Sequence, residues 1–282
     1  MSDATLVIAL EQIALGPSLQ DNLAHCLLAL RRAAAKGARV AVLPEACMRP
    51  FGLPLPKLSQ QASTAWTAAL SACARDLGLL AIVGLFRRQG PDFYNTLLVT
   101  GEHLTTGYDK THLYDAFGFQ ESKTTAEGRN CLILDLGAFS LGLALCYDLR
   151  FPEHFLTMAA QGANVMIVCA DWGQGVNKLE QWRLLCQARA LDCTSYVLAC
   201  GQADNHLASG FGLGHSLWVE PNGKIRQELG EEEGEIVARL DLEALTQARK
   251  ALPVLAWRET HPAFTPGLRR HALPFSPQKG LV

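Results

Sequence analysis

The chain has 282 residues, 49% of them hydrophobic and 18% charged, with a formal net charge of -2. That composition is globular and excludes a disordered chain, and the near-neutral balance without a basic stripe excludes an electrostatic nucleic-acid binder. No apolar run approaches the roughly 20 residues of a membrane span, and an acid stands where a secretory leader would be basic, so a cytoplasmic protein without membrane or nucleic-acid partners is expected.

In chain order, residues 6–10 form a short apolar run with the character of a buried strand. Leu19, Leu23, Leu27, Leu30 and Ala34 then recur at helical spacing, with Ser18 as N-cap and Gly37 as the stop. Residues 40–43 make a strand ending in Pro44-Glu45. Trp66, Leu70, Cys73 and Leu77 mark a second amphipathic helix, followed by strands at 79–83 and 95–100. Two strands, 132–134 and 141–145, flank a turn near Gly137. Pro152 suits the first position of a short helix. A strand at 165–169, a helix through Leu179, Trp182, Cys186 and Ala190, and strands at 196–200, 216–219 and 235–240 follow, before a last helix at 243–251. This alternation predicts an α/β fold. With no internal linker, residues 1–256 are expected to form one domain, and 257–282 a Pro-, His- and Arg-rich tail, placed at a dimer interface or loose.

The nine cysteines include no C-x-x-C pair, so a zinc ribbon is not expected. Most lie in apolar stretches, where cysteine acts as a small core residue. Cys146 differs: it ends an apolar strand and precedes Tyr147-Asp148. Glu45 likewise ends a strand, and in open α/β folds ligands bind beyond the carboxyl ends of strands. Taken singly, Glu45 reads as a loop residue and Lys110 as a solvated surface cation.

Together the segments match a pattern. Leu43-Pro44-Glu45, Tyr108-Asp109-Lys110-Thr111-His112-Leu113 and Leu145-Cys146-Tyr147-Asp148-Leu149-Arg150-Phe151-Pro152-Glu153 resemble the three signature regions of the nitrilase superfamily, in the family's order. Trp182 with Ala188-Arg189-Ala190, Gly214-His215-Ser216 on a strand, and Pro221-Asn222-Gly223 in a turn extend the resemblance over residues 5–260. It implies a four-layer α-β-β-α sandwich of two stacked sheets, and members that pair as homodimers. It also implies Glu45, Lys110 and Cys146 as catalytic residues acting on a small-molecule amide, with no cofactor and no metal.

The chemistry fits those residue types. An amide carbonyl is a poor electrophile, so it needs a strong nucleophile and a stabilised oxyanion. Glu45 would take the thiol proton and hand it to the leaving amine, then activate the water that hydrolyses a thioester on Cys146. Lys110 and the main-chain N–H of Tyr147 would hold the oxyanion. Glu121, in Phe119-Gln120-Glu121-Ser122, resembles the family's second glutamate and would orient Lys110 or the substrate, although the loop from Lys110 to Glu121 is shorter than in many relatives. Trp172 falls where the family lines its pocket. Arg150 and Glu153 are expected to form a buried salt bridge, with substrate contact as the alternative, Asp148 to cap a turn, His215 to be structural and Cys47 to be inert.

The motif around Cys146 resembles the amidase branches. Deaminated glutathione is the expected substrate, with ω-amidase action on α-ketoglutaramate, or a nitrilase or carbamoylase activity, as alternatives. Arg49, Lys123, Lys178 and Arg183 are the candidates for binding a substrate carboxylate. A non-enzymatic reading, a scaffold or a thiol redox protein, also stays open. Fast iodoacetamide labelling of Cys146 and a lowered thiol pKa would speak for the enzyme.

Overall fold

The computed structural model describes residues 5–52, 60–207 and 209–261. Two six-stranded mixed sheets carry the fold. The first contains β1 (Thr5–Gln12), β2 (Val40–Val42), β3 (Leu80–Gln89), β4 (Asp92–Thr100), β5 (Thr105–Asp109) and, late in the chain, β12 (Gly234–Asp241), in the order β12-β1-β2-β3-β4-β5. The second contains β6 (Ile133–Asp135), β7 (Ser140–Leu145), β8 (Val165–Ala170), β9 (Tyr196–Gly201), β10 (Leu217–Val219) and β11 (Ile225–Glu228), in the order β11-β10-β9-β8-β7-β6. At the heart of each, three strands run parallel: β1, β2 and β3 in one, β7, β8 and β9 in the other.

Side-chain alternation along the strands builds the layers. On β1, Leu6, Ile8 and Leu10 face the core between the sheets, while Ala9 faces α1 (Leu19–Ala35) and α2 (Gln60–Leu77). On β8, Val165, Ile167 and Cys169 face the inter-sheet core, while Met166, Val168 and Ala170 pack under α3 (Pro152–Ala160) and α4 (Lys178–Cys193). The expected four-layer α-β-β-α sandwich is thus the observed one. Ser18 caps α1 by accepting from the Asp21 N–H, and Pro152 opens α3, both as expected.

Several elements differ from expectation. β5 and β11 were not anticipated; both are edge strands, and the Thr-Thr-Gly-Tyr-Asp of β5 lacks an apolar alternation. Gly214, His215 and Ser216 precede β10 instead of lying on a strand. After α5 (Leu242–Ala251), a further helix, α6 (Val254–Thr260), spans the boundary drawn at 256/257. Residues 262–282 of the expected tail lie outside the described residues. Among the described residues, no helix is long and apolar enough to cross a membrane.

Candidate active site

Glu45 stands just beyond β2. The Leu43 N–H donates to the Ile82 carbonyl, and the Gly84 N–H to that of Pro44, which presses this segment against β3. The approach requires glycine: a Cβ on Gly84 would lie 2.4 Å from both the Glu45 Cα and the Pro44 carbonyl oxygen. Lys110 follows β5, anchored by its own N–H on the Asn95 carbonyl. Glu121 opens a short 3-10 turn and accepts the Tyr114 N–H at 2.8 Å. Cys146 begins another 3-10 turn directly after β7, with a left-handed φ of 44° that a non-glycine residue adopts only at a cost.

Asp148 stabilises that turn, as expected of a capping residue, and does more. Its carboxylate accepts from the Leu145 and His112 main-chain N–H groups, the Tyr108 hydroxyl and the His112 ring. Burial opposes the charge of Asp148, but these bonds and the nearby His154 hold its carboxyl below the usual range. Although His112, Asp148 and His154 could jointly offer metal ligands, the Asp148 oxygens are already taken up by these bonds. We therefore assign them to bracing the turn.

Four chain segments meet around one ammonium. Lys110 Nζ donates to Glu45 Oε1 and to Glu121 Oε2, each at 2.8 Å. Asn95 on β4 donates to Glu45 Oε1 at 2.8 Å and to Glu121 Oε1 at 2.9 Å. The Asp171 N–H, just after β8, donates to Glu45 Oε2 at 2.9 Å. All these side chains are buried. Burial alone would lower the pKa of Lys110, but Glu121 and Glu45 outweigh it and push it well above the ordinary value, so the ammonium is permanently charged.

Cys146 faces the same cluster. Its thiol is pushed well above the ordinary value, first by burial and then by the Glu45 charge, against which Lys110 acts. This corrects the expected lowered pKa: the resting sulfur is a thiol in the same buried cleft as the Glu45 carboxylate. Two carboxylates and one ammonium leave the cluster net negative, so a standing thiolate would add a second uncompensated charge. Cys131 is exposed whereas Cys146 is buried, so iodoacetamide is expected to reach Cys131 as well.

A cleft of about 360 Å³, its mouth included, opens onto the cluster. Its walls include Tyr147, Arg150, Asp171, Trp172, Lys178 and Phe211. Trp172 lines the cleft, as expected of a pocket residue, and Tyr147 lines it too. Of the four candidate anion binders, Lys178 reaches the cleft. Arg49 instead donates to the Pro17 carbonyl and Arg183 to Glu228, and neither they nor Lys123 line the cleft.

Arg150 also lines the cleft, and this corrects the expected salt bridge. Its guanidinium lies 5.1 Å from the Trp172 ring and donates to Gln181 Oε1, and among the described residues no ion pair joins it to Glu153. Its Nε is buried without a hydrogen-bond partner among them. Cys47 is fully buried and donates to the Pro44 carbonyl, and His215 bonds Glu228, both in keeping with structural roles. Asn95 and Asp171 were missed; a polar residue inside the apolar run of β4 was the available signal for the first.

Residues 7–250 match the carbon-nitrogen hydrolase family. The chain belongs to that family. It is an enzyme of the carbon–nitrogen hydrolase class, and its relatives support amide hydrolysis. A hydrolase of Mycobacterium tuberculosis is 38% identical over 262 residues, covering 88% of this chain and 94% of its own. An omega-amidase of Xenopus laevis is 31% identical (88% and 92% covered), and a deaminated glutathione amidase of Bos taurus 32% (89% and 81%). Among solved structures, a mutant of an amidase from Nesterenkonia sp. superposes with a TM-score of 0.75 at 27% identity, over 88% of this chain and 98% of that one. It carries the product of Michael addition of acrylamide at its active site cysteine.

Proposed function

We propose that this protein hydrolyses a linear amide bearing a carboxylate through a thioester on Cys146. The observation that carries the reading is the convergence of Cys146, Glu45, Lys110 and Glu121 on one buried cleft, where Glu45 shares its Lys110 counter-ion with Glu121. The substrate carbonyl enters beside the sulfur. Glu45 takes the thiol proton as sulfur attacks the carbonyl carbon, so charge moves from the carboxylate to the oxyanion without a free thiolate. Lys110 and the Tyr147 N–H hold that oxyanion. Loss of one such donor in other hydrolases costs about 3–4 kcal/mol of barrier.

Glu45 then passes its proton to the amide nitrogen, the C–N bond breaks and the amine leaves. Water, deprotonated by Glu45, attacks the thioester, and the acid departs as the sulfur regains its proton. Glu121 and Asn95 act by positioning: Glu121 accepts from Lys110, and Asn95 donates to both Glu45 and Glu121.

Arg150 and Lys178 supply the selectivity for a carboxylate. Burial and the nearby Arg150 charge lower the pKa of Lys178, the electrostatic sign of a site built to receive an anion. The preferred substrate is deaminated glutathione. Tyr114, Phe119, Gly173, Lys178 and Phe211 line both the cleft and an adjoining outer vestibule, which gives a leaving group larger than ammonia somewhere to sit. α-Ketoglutaramate presents the same acyl group with ammonia as the leaving group and is the second reading. We also propose a homodimer; the exposed Leu184, Leu191 and Trp257 on α4 and α6 support it, and sedimentation velocity tests it.

The test compares both substrates on wild type and Cys146→Ala, with mass spectrometry of the quenched enzyme. Turnover by wild type, none by the variant, and an acyl adduct on Cys146 are expected. Turnover retained by Cys146→Ala refutes the mechanism, and turnover of neither substrate refutes the substrate class.

A further inference from the structure

Asp171 is a carboxyl group with no part in the mechanism above, yet it lines the cleft beside Glu45. Two of its atoms are committed. Its N–H holds Glu45 Oε2, and its Oδ2 accepts the Phe51 N–H at 2.9 Å. Its Oδ1 is buried and makes no hydrogen bond of good geometry among the described residues, although the Gly212 amide lies near enough to the carboxyl to favour its charged form. An orphaned buried oxygen costs free energy in the unliganded protein. The cost is understandable if the substrate supplies the missing partner.

The reaction geometry says which substrate atom that is. The carbonyl carbon must lie against the Cys146 sulfur and its oxygen toward Lys110. The nitrogen then lies on the side of Glu45, which delivers its proton to the nitrogen lone pair. That leaves the amide's own N–H, which is buried in the closed cleft and needs an acceptor. Asp171 lines the cleft and is tied through its main-chain N–H to Glu45 Oε2, which puts it on the side of the general base. We propose that Asp171 is a specificity-determining residue whose Oδ1 accepts the scissile amide's N–H, so that the site favours amides over acyl compounds lacking one. The inference rests on the amidase reading above and extends it to the leaving-group side.

Burial pushes the Asp171 carboxyl up to about 8, with the Glu45 charge adding to the rise and the Phe51 and Gly212 amides opposing it. At neutral pH the group is therefore uncharged. With its proton on Oδ2, whose hydroxyl oxygen still accepts the Phe51 N–H, Oδ1 is the carbonyl oxygen that meets the amide, and the group sets no second negative charge against the deprotonation of Cys146.

The experiment measures kcat/KM of wild type, Asp171→Ala and Asp171→Asn on succinamate and on monomethyl succinate. The two share an acyl group and a carboxylate, but the ester has no N–H and is the easier electrophile. Asp171→Ala is expected to lose about 10–100-fold on the amide, the size of one buried hydrogen bond, and less than about 3-fold on the ester. Asp171→Asn keeps the volume and the bond to Phe51 through its carbonyl oxygen, and turns an N–H donor toward the substrate. The same selective loss is expected of it, and it serves if the alanine variant folds poorly. Equal losses on both compounds, or none, overturn the assignment while leaving the amidase reading intact. Wild type inactive on both compounds would instead strike at the amidase reading itself.

Discussion

Asp171 also makes a prediction about stability. Its carboxyl titrates at about 8 in the folded protein against an ordinary value of 3.8. Below pH 4 both states are protonated and the group is neutral toward folding. Between pH 4 and 8 the unfolded chain releases this proton and the folded chain keeps it, so stability falls as pH rises. Above pH 8 the penalty is complete. At about 1.4 kcal/mol per pKa unit, the loss from pH 4 to pH 7 is on the order of 4 kcal/mol. Asp171→Asn has no such proton, so its stability relative to wild type is expected to grow across pH 5–8. Urea unfolding of the pair at several pH values measures this, and a pH-independent difference would contradict it. Among single residues, Glu45, Lys110 and Cys146 were legible because each sits in a short, specific motif. Asn95, Asp171 and Arg150 were not, because what matters about each is a contact with residues far away in sequence.

At the level of elements, the site depends on how closely the β2 exit lies on β3. Gly84 permits that approach, and a methyl group there would meet backbone atoms that cannot rotate away. Gly84→Ala is therefore expected to destabilise the fold by about 1–3 kcal/mol, the usual cost of forced overpacking. It should also lower kcat by displacing Glu45 from Lys110 and Cys146. Thermal unfolding together with steady-state kinetics checks both; an unchanged kcat would show that Glu45 tolerates the shift. The strands missed in the sequence share a cause. β5 and β11 are edge strands with one neighbour each, and polar residues on an edge leave little apolar periodicity to read. The buried central strands, rich in Val, Leu and Ile, were found mostly within one to three residues of their ends, but β3 (Leu80–Gln89) runs six residues beyond the expected end at 83.

On the scale of the whole molecule, the two sheets divide the site between them. Glu45 and Lys110 hang from the first sheet, Cys146 and Asp171 from the second. Their meeting depends on the packing of the inter-sheet core, where Ile8, Val42, Leu143 and Ile167 are fully buried. Leu143→Ala would open a cavity there. It is expected to cost about 2–5 kcal/mol of stability. Because the sulfur and its proposed base ride on opposite sheets, kcat should fall as well, although Leu143 does not line the cleft. Denaturant unfolding and kinetics on the same preparation test this, and full activity in a strongly destabilised variant would show that the sheets keep their spacing locally.

The sequence by itself determined the α/β alternation, the main helices and buried strands, and the three signature residues, because local periodicity and short motifs are written in neighbouring positions. Only the tertiary structure decided the protonation state of Cys146, the roles of Asn95, Arg150 and Asp171, and which lysine reaches the cleft. Those properties arise from burial and from charges brought together across as many as 126 positions of chain. Coulomb energy and desolvation depend on distance in space, which the order of residues does not state.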